Sequence, residues 1–191
     1  MKVIAKSKYL EFKSASILSD KEWNYVRRTN DTNQHDSAVV ITTIVKKDNK
    51  YHFLLFKTFR PPLIAENKSK YCLESPAGLI GDIDKNEDVI ACAKKELLEE
   101  AGLVADDIFI ELENSATSAG LSSETLCYVT AFVNDYQIKH TPEDDGGIIQ
   151  ERFLVECSEI IEYLKKINTK EISVAAATIC GIFYAMARLN K

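Results

Sequence analysis

The sequence predicts an α+β fold, a mixed sheet flanked by helices, and three observations carry that expectation. Two runs rich in β-branched and aromatic residues, 38–45 (AVVITTIV) and 51–59 (YHFLLFKTF), are joined by KKDNK, which reads as a hairpin turn. Residues 87–101 are strong helix formers and stop at Gly102, a residue suited to a left-handed helix cap. Residues 171–189 are rich in alanine, with Ile172, Ala175, Ala176, Ile179 and Phe183 forming one apolar stripe of a long helix.

The remaining elements follow in chain order. Residues 2–28 read as short strands with turns: a lysine-interrupted segment 3–12, a turn at Ser19 and Asp20, and a further strand at 23–26. The polar stretch TNDTNQHDS (29–37) is a connector, dividing N-terminal strands (1–36) from the main body (37–191). Arg60-Pro61-Pro62 ends the second long strand, because proline cannot donate to a ladder. Residues 64–70 are expected as loop and 71–74 as a brief strand entering a turn that contains Pro76, Gly78 and Gly81. Beyond the first helix come strands at 108–113 and 125–132, separated by SATSAGLSSE, then a polar loop at 134–147 and a last strand at 148–155. A helix at 158–166 with Ser158 as N-cap precedes the long C-terminal helix.

Composition narrows the function. With 46% hydrophobic residues, the 191-residue chain can build a substantial core. Its 24 Lys+Arg against 29 Asp+Glu give a net charge of -5, so no basic footprint points to nucleic acid. An anionic small substrate stays open, since a bound cation and a few arginines can reverse the local sign. The five cysteines, Cys72, Cys92, Cys127, Cys157 and Cys180, are scattered without CxxC or zinc spacing, as expected of free thiols in a reducing compartment. His35, His52 and His140 likewise lack ligand spacing. The N-terminal MKVIAKSKYLEFKSAS is too interrupted by charge for a signal peptide, and no apolar run reaches membrane-spanning length. A cytoplasmic protein with no membrane partner is the expectation.

The chemistry concentrates in the first helix. Glu96, Glu99 and Glu100 stand at i, i+3 and i+4, so their carboxylates share one side. Such an array repels itself unless a cation lies beside it, and it suits a hard, oxygen-seeking ion such as Mg²⁺. Composition alone would also allow a solvated acidic face, and with it a purely structural protein.

The spacing says more. Gly81, Glu87, Lys95, Glu96, Leu97, Glu99, Glu100, Gly102 and Leu103 closely resemble the Nudix box, the loop–helix–loop signature of the Nudix hydrolases. The one departure is Lys95, where that family usually has arginine; lysine keeps the charge and loses the planar, multi-donor fork. Upstream, FRPP (59–62) and YCLESPAGLI (71–80) resemble the ADP-ribose and ADP-sugar pyrophosphatase branch, and KEWNYVRRTN (21–30) is similar to its adenine-stacking region.

The resemblance implies a Nudix-type α/β/α sandwich with a mixed sheet, plus a small N-terminal antiparallel sheet that exchanges between subunits of a homodimer. It implies hydrolysis of the pyrophosphate bond of ADP-ribose or a related ADP-sugar, giving AMP and a sugar phosphate. The implied cofactor is Mg²⁺ (or Mn²⁺), more than one ion per site, held by Glu96, Glu99, Glu100 and the carbonyl of Ala77. Gly81, Glu87, Lys95 and Gly102 become structural members of the motif, and Glu74 helps the metal region or orders its loop. Trp23 would stack on adenine, Arg28 and Arg60 would meet the pyrophosphate, and Gly120 and Glu124 would shape the pocket from a loop in which Ala119 replaces the expected proline. The general base is open among Glu143, Asp144, Asp145, Glu151 and a box glutamate, because the family position near Ile148 carries no carboxylate here. Alternatives are a pyrophosphatase for other nucleoside diphosphate sugars or oxidised nucleotides, and a non-catalytic Nudix-fold nucleotide-binding protein.

Overall fold

A computed structural model describes residues 1–16, 21–29, 37–82 and 84–190. The turn expected at Ser19 and Asp20, and most of the 29–37 connector, lie outside them. Strands β1 (Lys2–Lys6), β2 (Leu10–Ser16) and β3 (Glu22–Arg28) form a small antiparallel sheet of their own. The segment 3–12 is thus two strands, turning where the Ser7 hydroxyl accepts from the Leu10 N–H at 3.0 Å.

The main sheet is built on β4 (Ser37–Lys47) and β5 (Lys50–Phe59). Asp48 and Asn49 turn the hairpin with φ of 51° and 60°, left-handed values that short polar side chains tolerate. The two strands pair only beside that turn, from Ile44–Phe53 to Lys47–Lys50, and then part. Strand β6 (Tyr71–Glu74) continues along β5, whereas β7 (Ala77–Leu79) pairs with the start of β4. The chain from Glu74 to Ala77 therefore crosses the gap between the diverging strands. That crossing is where the site forms.

Helix α1 (Pro61–Ala65) occupies part of the stretch expected as loop; two prolines at its start preset the helical φ without forfeiting any needed donor. Helix α2 (Val89–Ala101) begins after Asp88, whose carboxylate accepts from the Ala91 N–H at 2.7 Å, and ends at Gly102 with φ 67°. Strand β8 (Asp107–Ala116) is longer than expected, and β9 (Thr125–Val133) runs parallel to β4 from Ser37–Thr125 to Val45–Val133. Strand β10 (Ile149–Glu156) lies antiparallel on β5.

Two C-terminal expectations change. Ser158 does not cap α3 (Ile160–Ile167); it sits in a 3-10 turn and its hydroxyl donates to Glu156 at 2.6 Å. The expected helix at 171–189 divides into β11 (Ile172–Val174), which pairs in parallel with β6, and α4 (Ala176–Leu189). The β-branched Ile172 and Val174 take the open edge of β6, a ladder that a local helical pattern does not reveal.

Alternation along the strands splits the core into two faces. Val39, Ile41, Leu54 and Phe56 face α2, with Cys92, Ala93 and Leu97. Ile44, Phe53 and Leu55 face the other way, onto Ile160 of α3 and Ile182 and Ala185 of α4. The result is the expected three-layer α/β/α sandwich. The buried side of α4 is Thr178, Gly181, Ile182 and Ala185, and Ile179 and Phe183 of the predicted stripe are exposed. A β-carbon on Gly181 would fall 2.1 Å from Thr42 Oγ1, so close approach to β4 orients the helix and turns its largest apolar side chains outward. All five cysteines are free, and burial pushes the Cys72 and Cys157 thiols up to about 12. Among the described residues no helix is long and apolar enough to cross a membrane.

Candidate active site

Where β7 leaves the gap, α2 lies alongside it, and between them opens a cavity of about 260 Å³. Ala77, Gly78 and Leu79 form one wall, Glu96, Glu99 and Glu100 another, and Asp82, Glu143 and Asp145 the rim. Gly78 permits the contact: a β-carbon there would meet Glu96 Cδ at 2.2 Å. Glu100 accepts from the Ala77 N–H at 3.2 Å.

Burial away from bulk water raises the pKa of two of these carboxyls. Burial pushes the Glu100 carboxyl up to about 8, with the Ala77 N–H pulling it down and Glu96 and Asp145 raising it further. Burial likewise pushes Glu96 up to about 7, against the opposing pull of Lys95. Lys95 is the cation that organises the loop before the helix. Its Nζ lies 3.1 Å from Asp82, 3.2 Å from Glu87 and 3.4 Å from Glu96. Glu87 in turn accepts from the Gly81 N–H at 3.1 Å, closing the loop onto the helix.

The acidic loop after β9 is fastened to the far end of α2. Glu143 N–H donates to the Glu99 carbonyl at 2.8 Å, and Lys139 N–H to the Gly102 carbonyl at 2.7 Å. Asp145, Gly146 and Gly147 all have positive φ (50°, 65° and 87°), making the tight turn that delivers Asp145 to the cavity and leads into β10. Glu151 is not delivered there. It lies in a separate cavity with Phe153 and Tyr163 and is ion-paired with Lys57.

The predicted substrate contacts divide into two groups. Arg60 makes a two-pronged pair with Glu74, Nη2 to Oε2 at 2.7 Å and Nε to Oε1 at 3.0 Å, in a small pocket that shares Ala77 with the acidic cavity. The other four residues meet one another. Trp23 Nε1 donates to the Gly120 carbonyl at 2.9 Å, and Arg28 Nε donates to Glu124 at 2.5 Å. The Val26 N–H donates to the Leu121 carbonyl at 2.8 Å, so β3 rests on the 117–124 loop of its own chain.

This geometry has relatives. No protein-family model matches the chain. An uncharacterised Nudix hydrolase of Schizosaccharomyces pombe is 30% identical over 156 residues, 80% of this chain and 71% of that protein. The chain belongs to the Nudix hydrolases. It is an enzyme of the hydrolase class. The ADP-ribose pyrophosphatase of Saccharomyces cerevisiae is 33% identical over 145 residues, covering 75% of this chain and 55% of the yeast protein. Among solved structures, an ADP compounds hydrolase superposes with a TM-score of 0.65 at 22% identity, covering 99% of this chain and 91% of its own.

Within this Nudix hydrolase the box residues hold the loop–helix–loop together as a unit. Among the described residues no three acidic, histidine or cysteine side chains converge on one point. Glu96 is turned toward Lys95 and Glu100 toward the Ala77 N–H. The donors nevertheless suit a divalent cation: they are hard carboxylate oxygens sharing one cavity, and burial raises the pKa of Glu96 and Glu100, so that protons and a cation would compete for them. Sequence reasoning gave no site role to Leu79 and Asp82, to Gly78, which it read only as part of the turn, or to Arg152, which donates to the carbonyls of the cavity-lining Glu100 and Glu143. The acidic GD pair at 81–82 was a readable signal for Asp82; Arg152 offered none, because a lone arginine in a strand has no local pattern.

Proposed function

We propose that this Nudix hydrolase cleaves the pyrophosphate bond of ADP-ribose or a related ADP-sugar, releasing AMP and a sugar phosphate. The observation that carries the reading is the acidic cavity formed where α2 meets β7, with Glu96, Glu99, Glu100 and Ala77 on its walls. These four would hold Mg²⁺ or Mn²⁺, more than one ion per site. When bound, the cations neutralise the diphosphate and lower the pKa of an attached water.

The chain's own residues supply the rest. Water adds to one phosphorus, the bridging oxygen leaves with the other phosphate, and a carboxylate receives the water's proton. Glu143 and Asp145 are the acids on the cavity rim suited to that proton, ahead of Glu151, which is paired with Lys57 elsewhere. Arg60, held by Glu74 in the pocket that shares Ala77 with the cavity, is a guanidinium suited to the diphosphate. Trp23 offers an indole face for the base. The 117–124 loop that it bonds leads into the start of β9, beside the start of β4, which carries β7 on its other side.

The yeast relative named as an ADP-ribose pyrophosphatase supports this substrate class. The N-terminal strands (1–36) would form an exchanging unit of a homodimer and the remainder (37–191) the hydrolase domain. In the exchanged form β3 would make on the partner's loop the contact it makes here on the 117–124 loop of its own chain. The exposed Val3, Ile4, Leu10 and Phe12 of the small sheet favour such a partner. A cytoplasmic setting accords with the free thiols.

The test is incubation of the purified protein with ADP-ribose and Mg²⁺, with other nucleoside diphosphate sugars and oxidised nucleotides alongside, and mass analysis of products formed in ¹⁸O-water. AMP and ribose 5-phosphate, one of them carrying ¹⁸O, are expected. Tight nucleotide binding without metal-dependent turnover would overturn the reading in favour of a binding protein.

A further inference from the structure

An α-helix leaves its last carbonyls without helical partners, and at the C-terminal end of α2 donors from outside the helix reach four in a row, those of residues 97–100. The Leu103 N–H donates to Leu97 O at 3.3 Å and the Gly102 N–H to Leu98 O at 2.9 Å, both within the local cap. Glu99 O accepts from the Glu143 N–H at 2.8 Å. Glu100 O accepts from Arg152 Nε, and the same guanidinium, through Nη2, donates to the carbonyl of Glu143.

Arg152 is thus bonded at once to the helix that carries the box glutamates and to the loop that carries Glu143 and Asp145. Its own position is fixed from below. It stands opposite Phe56 in the β10–β5 ladder, with its guanidinium carbon 5.4 Å from the centre of that ring. Its charge also lies at the carbonyl end of α2, where the partial negative charge of the aligned peptide groups collects. The segment 134–148 carries no strand or helix, and beyond Arg152 it is tied to the end of α2 by two backbone bonds, Glu143 N–H to Glu99 O and Lys139 N–H to Gly102 O.

We propose that Arg152 is a positioning residue for the hydrolysis, a clamp setting the distance between the box carboxylates and the acids of the 143–145 loop. The inference rests on the proposed function in taking those two sets of acids to act on one substrate. A planar fork with several donors can hold two carbonyls in fixed relation, whereas an ammonium is a single point of attachment. Misplacing a reacting group by about 1 Å can cost on the order of 100-fold in rate.

The experiment compares wild type with Arg152→Met, which keeps a long apolar stem over Phe56 and removes the donors, and with Arg152→Lys. Three quantities are read: kcat and KM for ADP-ribose, the thermal midpoint, and amide hydrogen exchange in metal-free protein. Arg152→Met should lose about 10–100-fold in kcat with KM within about 3-fold, and residues 139–147 should exchange about 10-fold faster while α2 stays protected. Arg152→Lys should fall between the two. A folded Arg152→Met protein with wild-type kcat would overturn the proposal, as would a loss that follows only a lowered midpoint and exchange throughout α2. If wild type itself fails to hydrolyse ADP-ribose, the proposed function fails, and the exchange comparison alone then decides the clamp: unchanged protection at 139–147 removes it, selective loosening there sustains it.

Discussion

The carboxylate stem of Glu96 lies directly over Gly78, so close that a β-carbon on the glycine would fall 2.2 Å from Glu96 Cδ and 2.3 Å from its Oε1. One missing methyl group thereby sets where a box glutamate can stand. In Gly78→Ala the flexible end of Glu96 must move, because the strand is paired on β4 and cannot. The thermal midpoint should shift by only a few degrees, as for a change of about 1 kcal/mol in a chain this size. Turnover should drop about 100-fold, and steady-state kinetics beside a melting curve will separate the two effects.

The raised carboxyl pKa values predict an unusual pH dependence for the metal-free protein. Glu96 and Glu100 are pushed up to about 7 and about 8, above the ordinary carboxylate value of 4.5. A raised carboxyl pKa favours the folded state at low pH, and that contribution is lost as pH rises from about 4.5 through 8. In chelator the melting midpoint should therefore fall between pH 5 and pH 8.5, and Glu100→Gln should flatten the fall. Added Mg²⁺ should raise the midpoint more at pH 8 than at pH 5, since protons compete for the same oxygens.

Lys95 holds Asp82, Glu87 and Glu96 together at 3.1 to 3.4 Å. Lys95→Ala should loosen the 81–87 loop and reduce turnover by at least 10-fold, with a higher Mg²⁺ concentration needed for half-maximal rate. Lys95→Arg should equal or exceed wild type, because a planar fork can serve two of the three acids at once. A metal titration of the rate for each variant measures this.

The proton acceptor can be sorted by rate. Glu143→Gln and Asp145→Asn alter acids on the cavity rim, whereas Glu151→Gln alters one paired with Lys57 in another cavity. One of the first two should lose about 10²–10⁴-fold in kcat. Glu151→Gln should stay within about 3-fold. Single-turnover rates across the three decide it.

Trp23 has its indole N–H engaged by Gly120 and remains largely exposed, leaving a ring face for a base. Trp23→Ala should raise KM for ADP-ribose about 5- to 150-fold at nearly unchanged kcat, the equivalent of about 1–3 kcal/mol of stacking. Trp23→Phe should recover much of that loss, since it keeps a stacking face and gives up the hydrogen bond.

The legible parts of the molecule were those written in local pattern. The β-branched and aromatic runs 38–45 and 51–59 and the helix ending at Gly102 stand close to where they were read, because each depends on neighbours a few residues away. Small elements that rely on a distant partner were missed. Strands β7 and β11 exist because β4 and β6 offer them an edge, and α4 turns Ile179 and Phe183 outward because Gly181 must meet Thr42.

By itself the sequence determined the family and the set of acids, since the box is a matter of spacing along one helix and the loop before it. The tertiary structure decided which of those acids share a cavity. It set Glu143 and Asp145 beside the box glutamates, sent Glu151 to Lys57, laid Gly78 under Glu96, and brought in Arg152 from a strand that no local pattern connects with the helix. The reason is physical: spacing within a helix is fixed by its own hydrogen bonds, whereas proximity between elements is fixed by how strands diverge and where a loop is tied down.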